Sequence, residues 1–407
     1  MASSRYSICF VLTIASVISA VHSRSYAGGF AVDEQGAVAM GRANAFAAQA
    51  DDPTALFYNP AGIAQLHGTQ VSLGTTLISP ATTFQSQASG NSTNTESVLF
   101  FPPTLYLAHE IRPSVHAGIG VFIPFGLSTE WPANWEGRYL TTFSEINTMY
   151  INPNVVWSPT PDLHLATGIT YVPSSVTLRN KLDLTPSPDG DVEIKADGDG
   201  WGLNVALLTT LPAHTSLGVS FRSAVHIDYT GDGPISPLGL SAQLNSSLTL
   251  PPIFTVGIAH HGLSGLTLEA DWEWVGWSTF DKIAVTSADP TFVAETPKNW
   301  RDSSSLRLGA EYPFGQSALR AGYAYDMTPV PPETIDPSLP DSDKHTFALG
   351  GGHRFGRATV DLAYMFIVSR DRRVANTLPT GPTSSFDHRG TYSAQVHELG
   401  VGFSYRF

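Results

Sequence analysis

Lys298 and Arg301 stand three residues apart with Trp300 between them, two cations whose N–H groups can hold a carboxylate through charge-assisted hydrogen bonds. The same triplet reads equally as a solvated loop or as one end of an internal salt bridge. Asp189, Asp191, Asp197 and Asp199, interleaved with Gly190, Gly198 and Gly200, invite a calcium reading. Their spacing does not match an EF-hand loop, and a solvated hairpin tip accounts for them. His260-His261 lacks metal-ligand spacing and reads as straddling a turn. Ser, His and Asp abound, but no stretch groups them as a nucleophile and its base. The chain is therefore expected to be no enzyme, with no catalytic residue, no metal ligand and no cofactor. The chemistry left to it is binding.

Binding residues need elements to hold them, and composition restricts which. Charged residues make up 14% of the 407, with mean hydropathy of −0.01. A helical membrane protein would show several apolar runs of about 20 residues. Here the one such run is at the start: Arg5, then Ile8 to Ala20 almost without polarity, then Ser23 and Ser25. This is the pattern of a secretory signal peptide, expected over residues 1–25 with cleavage between 23 and 27. Cys9, the single cysteine, falls inside it. The formal charge of −13 argues against a nucleic-acid partner, which needs a basic surface.

Beyond residue 68 the chain alternates with period two in segments of roughly ten residues, the signature of strands in an outer-membrane barrel. In Leu266 to Trp274, the residues Leu266, Leu268, Ala270, Trp272 and Trp274 share one face, and Thr267, Glu269, Asp271 and Glu273 the other. A membrane barrel places the first set toward lipid and the second toward a polar lumen. Strands are predicted near 69–79, 97–109, 114–123, 145–157, 163–183, 192–210, 215–230, 247–260, 265–276, 304–312, 317–325, 344–354, 358–370 and 390–407, about fourteen. Long polar loops alternate with tight turns, which orients the long loops outward and the turns toward the periplasm. The last strand ends on Phe407, an aromatic terminus resembling the signal read by the barrel-assembly machinery. The expected fold is all-β and transmembrane: an antiparallel barrel over 68–407 in a Gram-negative outer membrane, with a small helical N-terminal hatch. That hatch, 26–67, does not alternate; Gly36 to Ala50 reads as short helices, stopped at Asp51-Asp52-Pro53.

Four stretches then carry a family resemblance. They are Ala27-Gly28-Gly29-Phe30 with Gly41-Arg42-Ala43, Ala50-Asp51-Asp52 and Asn59-Pro60-Ala61; Ile123-Pro124-Phe125-Gly126 with Gly137-Arg138-Tyr139; Pro297 to Asp302 with Tyr325-Asp326 and Pro329-Val330-Pro331; and the ending Gly402 to Phe407. Together they span most of the mature chain and resemble the FadL-type outer-membrane transporters of long-chain fatty acids and aromatic hydrocarbons. The resemblance implies a monomeric fourteen-strand barrel plugged by its hatch, which takes up hydrophobic molecules by diffusion and releases them sideways through a kinked third strand. Implied partners are the hydrophobic ligand and the surrounding lipid and lipopolysaccharide. The competing readings are a general hydrophilic porin and a structural or adhesive barrel; a helical hatch speaks against the first.

The resemblance makes Phe30 a ligand contact, with plug packing as the alternative. Lys298 and Arg301 are candidates to pair with a carboxylate if the ligand is a fatty acid, a role that a hydrocarbon carrier would not need, and Trp300 is a further candidate ligand contact. Trp131, with Trp135, is a candidate for the outer groove and equally for an interface anchor. Asn59, Pro60 and Ala61 are expected to hold hatch geometry. Gly118 and Gly120 are candidates for the kink, because glycine weakens strand pairing, and equally for ordinary lumen-facing positions.

Overall fold

A computed structural model of the protein describes residues 28–289, 293–380 and 385–407. The expected leader, with its cleavage region, lies outside them. The chain forms a closed antiparallel barrel of fourteen strands. They are β1 (Thr69–Ser86), β2 (Pro103–Arg112), β3 (Val115–Phe122, resuming as Gly126–Glu130), β4 (Phe143–Thr148 with Tyr150–Thr160), β5 (Leu163–Leu182), β6 (Gly190–Leu211) and β7 (Thr215–Arg222 with Val225–Asp232). The circuit continues through β8 (Gln243–Leu250 with Ile253–Leu263), β9 (Leu266–Val275), β10 (Ser303–Phe314), β11 (Ser317–Asp326), β12 (Lys344–Phe355), β13 (Ala358–Ser369) and β14 (Gly390–Arg406). β14 returns to β1 from Gln70↔Arg406 to Ser86↔Gly390, so neither strand is left as an open edge.

Burial along β9 is inverted relative to a soluble sheet. Leu268 and Trp272 are 41% and 40% exposed, whereas Glu269 and Asp271 are each 3% exposed. Period-two alternation causes this, since lipid rather than water covers the outer face. Trp157, Tyr312, Phe314, Phe355 and Phe407 are exposed near the tight-turn rim and form the kind of aromatic girdle found at a membrane interface. Turns such as 212–214 and 356–357 alternate with long connections such as 276–302, 327–343 and 370–389.

Residues 28–66 lie inside the barrel, in contact with strands around its circumference. The helices are shorter than expected: only α1 (Ala37–Met40) and α2 (Ala55–Tyr58) are α-helical, followed by a 3-10 turn at Pro60–Gln65. Gly36 to Ala50 is mostly turn because Ala43, Asn44 and Ala50 take positive φ of 50°, 62° and 41°. That winding points the backbone N–H groups of residues 46–49 at the wall instead of along a helix axis.

The wall makes room for this segment with glycines. A Cβ on Gly218 would lie 1.9 Å from the Ala47 carbonyl oxygen, and one on Gly322 would lie 2.1 Å from the Arg42 carbonyl carbon. Gly400 does the same for Met40, and Gly118 for Leu56. Gly118 and Gly120 therefore do not make the kink. Both sit in unbroken register, Ala108↔Gly118 and Tyr106↔Gly120, facing the lumen, where space rather than bending is what they provide.

The break in β3 comes later, at Ile123-Pro124-Phe125. β2 is shorter than predicted as well: 97–102 stands outside the strand, which begins at Pro103. Proline has no N–H to give to a ladder, so Pro102-Pro103 and Pro124 stop pairing on both sides of the same seam.

Candidate functional site

Two sides of the plug are held in different ways. On one, the inward carboxylates of β9 form a ladder. Arg42, fully buried, donates from Nη2 to Glu269 Oε2 at 2.7 Å and from Nη1 to Gln49 Oε1 at 2.5 Å. Glu269 Oε1 accepts the Ala48 N–H at 2.6 Å. Asp271 Oδ2 accepts the N–H groups of Phe46 and Ala47 at 2.9 and 3.0 Å. Arg307 bridges Asp33, at 2.7 Å, and Glu273. Buried charges are tolerable when paired and hydrogen-bonded in this way. Asn59 adds a neutral pin: its Nδ2 donates to Ala47 O at 2.7 Å and to Leu207 O of β6 at 3.0 Å, while Oδ1 caps Ala61 N–H. Pro60 opens the 3-10 turn that follows.

The other side faces the seam between β2 and β3. Their last ladder pair is Leu105↔Val121. Above it, Gly126–Glu130 pairs only with β4, and the two sides next meet where Glu96 N–H donates to Glu130 O at 2.8 Å. The plug meets the orphaned backbone from inside. Val32 N–H donates to Pro124 O at 2.9 Å, Gly126 N–H to Phe30 O at 3.0 Å, and Gln35 exchanges bonds with Ile123 through both side-chain atoms. These bonds satisfy groups that would otherwise be buried and unpaired.

A cavity of about 320 Å³ occupies this seam. It runs from Phe30, Val32 and Glu34 in the plug, past Ile78 and Val396, to Phe100, Phe101 and Leu127 at the wall. Phe101 is 54% exposed, so the cavity's rim reaches the accessible surface. Its volume falls at the lower end of the range of small-molecule pockets, and its lining is largely apolar, as such pockets are.

Phe30 is buried within an aromatic cage. Trp277 lies 4.6 Å away by ring centroids and Phe125, Phe280 and Trp300 lie within 6.0 Å, mostly edge to face. Gly29 makes this possible; it has φ of 63°, and a Cβ there would strike Trp277 and Trp300. Phe30 thus both packs the plug and lines the cavity.

The structure separates the predicted cations from one another. Lys298 is 7% exposed and paired with Asp336 of the next long loop. Burial alone would raise the Asp336 carboxyl, but the Lys298 ammonium and bonds from Ser338 hold it below its usual range. Trp300 is in the Phe30 cage, while Arg301 is exposed and joined by its backbone to Pro329 O at 2.9 Å. Neither cation lines the cavity.

Trp131 stacks on Trp135 with ring centroids 4.4 Å apart and donates from Nε1 to Pro337 O at 2.9 Å. Both are buried beneath the long loops, beside Phe84, Phe386, His388 and Tyr392, which excludes the interface-anchor reading. His388 bonds Asn376 and Tyr392 through its two ring nitrogens, and burial pushes it down to about 4. The acidic tip is tied to cations: Asp189 to Arg138 at 2.7 Å and Asp191 to Lys181 at 2.5 Å.

Sequence reasoning overlooked four residues at the site. Gln35, Arg42 and Glu34 lie in the plug, where no periodicity reports which way a side chain points. Glu398 could have been found, since it alternates with the lipid-facing residues of the last strand.

The match to known proteins agrees with this geometry. A family model described as "Outer membrane protein transport protein (OMPP1/FadL/TodX)" matches residues 18–407. The long-chain fatty acid transport protein of Escherichia coli O6:H1 is 23% identical, with 97% of this chain and 98% of that protein covered. Among solved structures, a Pseudomonas aeruginosa FadL homologue superposes with a TM-score of 0.83 at 20% identity, covering 93% of this chain and 99% of that one. The Ralstonia pickettii toluene transporter TbuX gives 0.72 at 21% identity, covering 91% and 98%. At such identities the structural likeness establishes the fold alone. The family match covers nearly the whole chain, and on it this protein belongs to the OMPP1/FadL/TodX family of outer-membrane transport proteins for hydrophobic substrates.

Proposed function

We propose that the protein takes up hydrophobic molecules across the outer membrane by diffusion, that movement of residues 28–66 gates the route, and that the ligand leaves sideways through the β2–β3 seam. The observation that carries this reading is the position of the apolar cavity, which joins the plug to the place where the wall lacks its ladder. A water-filled pore offers an apolar solute nothing, whereas such a cavity removes its surface from water. The backbone bonds of Phe30 and Val32 and the side-chain bonds of Gln35 to the β3 break couple the two ends, because withdrawing the plug uncovers the seam. A hydrophilic porin would keep an open constriction, and here the lumen is filled by the plug. The relatives' names offer two cargo classes, long-chain fatty acids and toluene. Uptake of labelled oleate and toluene in cells with and without the gene tests the proposal; uptake of both that is indifferent to the gene rejects it.

A further inference from the structure

The lining of the seam cavity is largely apolar, with Ser128 and Asn147 as neutral polar members, and its charges are of one sign. Its ionisable side chains, among the described residues, are Glu34 and Glu398, and no Lys or Arg joins them. Glu34 comes from the plug and is 5% exposed, with Oε1 accepting from Asn44 Nδ2 at 3.3 Å. Glu398 comes from β14 and is 4% exposed; its Oε2 has no hydrogen-bond partner among the described residues. The charges that act on Glu398 are those of Glu34 and Asp33, both carboxyls. Arg307 is the cation that acts on Glu34, and it is bound by Asp33 and Glu273. Lys298, the cation expected to greet a carboxylate, is held by Asp336 outside the cavity.

A carboxylate entering this space would lose water and gain no cation, an uncompensated burial of charge. A hydroxyl would be met in either protonation state, donating to a carboxylate or accepting from a carboxylic acid. It would also relieve the unpaired Glu398 oxygen, whose isolation is itself costly.

Resting on the transport reading above, we propose that Glu398, with Glu34 beside it, is the charge filter of the seam cavity. The cavity takes uncharged apolar molecules, preferring those that carry one hydroxyl group, and rejects carboxylates.

The test is binding of toluene, benzyl alcohol and benzoate at neutral pH to the full chain in lipid nanodiscs, corrected for empty discs. Wild-type protein binds the two neutral ligands and binds benzoate at least about tenfold more weakly than benzyl alcohol, the size of one unmade interaction with a buried group. Glu398→Leu weakens benzyl alcohol by about tenfold, the loss of one hydrogen bond to an ionisable group, and leaves toluene unchanged or tighter. Glu398→Gln, which keeps a hydrogen-bonding head, retains most of the benzyl alcohol affinity. Glu398→Lys narrows or reverses the preference against benzoate. Heat-modifiable migration on gels verifies that each variant barrel is folded. Equal binding of benzoate and benzyl alcohol overturns the filter, as does an equal loss of toluene and benzyl alcohol in Glu398→Leu. Failure of the wild type to bind either neutral ligand overturns the transport reading instead, and the filter with it.

Discussion

The β9 face and the β2–β3 face hold the same plug by opposite means. On β9, ladder pairing to both neighbours is continuous from Leu268 to Val275, and Arg42, Glu269, Asp271 and Arg307 clamp the plug through buried ionic contacts. At the seam the ladder is missing, the contacts are uncharged hydrogen bonds to backbone and apolar surfaces, and space remains beside them. Buried paired charges are hard to separate one at a time, because each stranded partner pays the full desolvation cost. Neutral hydrogen bonds beside a cavity come apart more cheaply. On the proposed gating, the contrast makes β9 the fixed side and the seam the side that yields.

The largest expected effect breaks the fixed side. Arg42→Ala strands Glu269 in the lumen and should cost about 3–5 kcal/mol of plug docking. Protease sensitivity of residues 28–66 and single-channel conductance in planar bilayers should both rise. Unchanged values would show that the clamp does not fix the plug.

Next comes acid, acting on the loop cover above the seam. His388 is neutral in the cover, with its pKa lowered by burial from 6.5 to about 4. The released cover therefore binds the proton more readily, and docking loses stability as pH falls through the interval from 6.5 down to about 4, with the loss complete below it. At its limit the loss is on the order of 3 kcal/mol. Fluorescence of the variants keeping only Trp131 or Trp135 should shift over that interval, and His388→Phe should flatten the shift.

Steric probes then sharpen the comparison. Gly218→Ala puts a Cβ into the Ala47 carbonyl, and overpacking of this kind costs about 1–3 kcal/mol. Gly126→Ala, at the seam, meets nothing closer than 3.8 Å and should change stability by less than about 0.5 kcal/mol. Hydrogen exchange of the plug amides would measure both. A larger effect at Gly126 would reverse the assignment of fixed and yielding sides.

The fixed side was readable in the sequence and the yielding side was not, for a physical reason. Alternation over Leu266 to Trp274 places Glu269, Asp271 and Glu273 inward because strand geometry is local. What those carboxylates grip is not local: Arg42 and Glu269 are 227 residues apart, and Lys298 and its partner Asp336 lie in different loops. The seam misled the reading toward Gly118 and Gly120, since glycine weakens pairing. Proline abolishes a donor outright, and Pro102, Pro103 and Pro124 were the stronger signal. Even so, that Gln35 would fill the break at Ile123, 88 residues away, has no mark in the residues around either.

The seam as a route is tested most directly by tying it shut. Phe101→Cys and Leu127→Cys line the cavity from the β2 and β3 sides, and in a Cys9→Ser background a reducible bismaleimide can join them in whole cells. With the tether in place, uptake of toluene should fall to that of cells lacking the gene and return when the tether is reduced, while either cysteine alone changes little. Full uptake through a barrel tied across β2 and β3 would contradict the account.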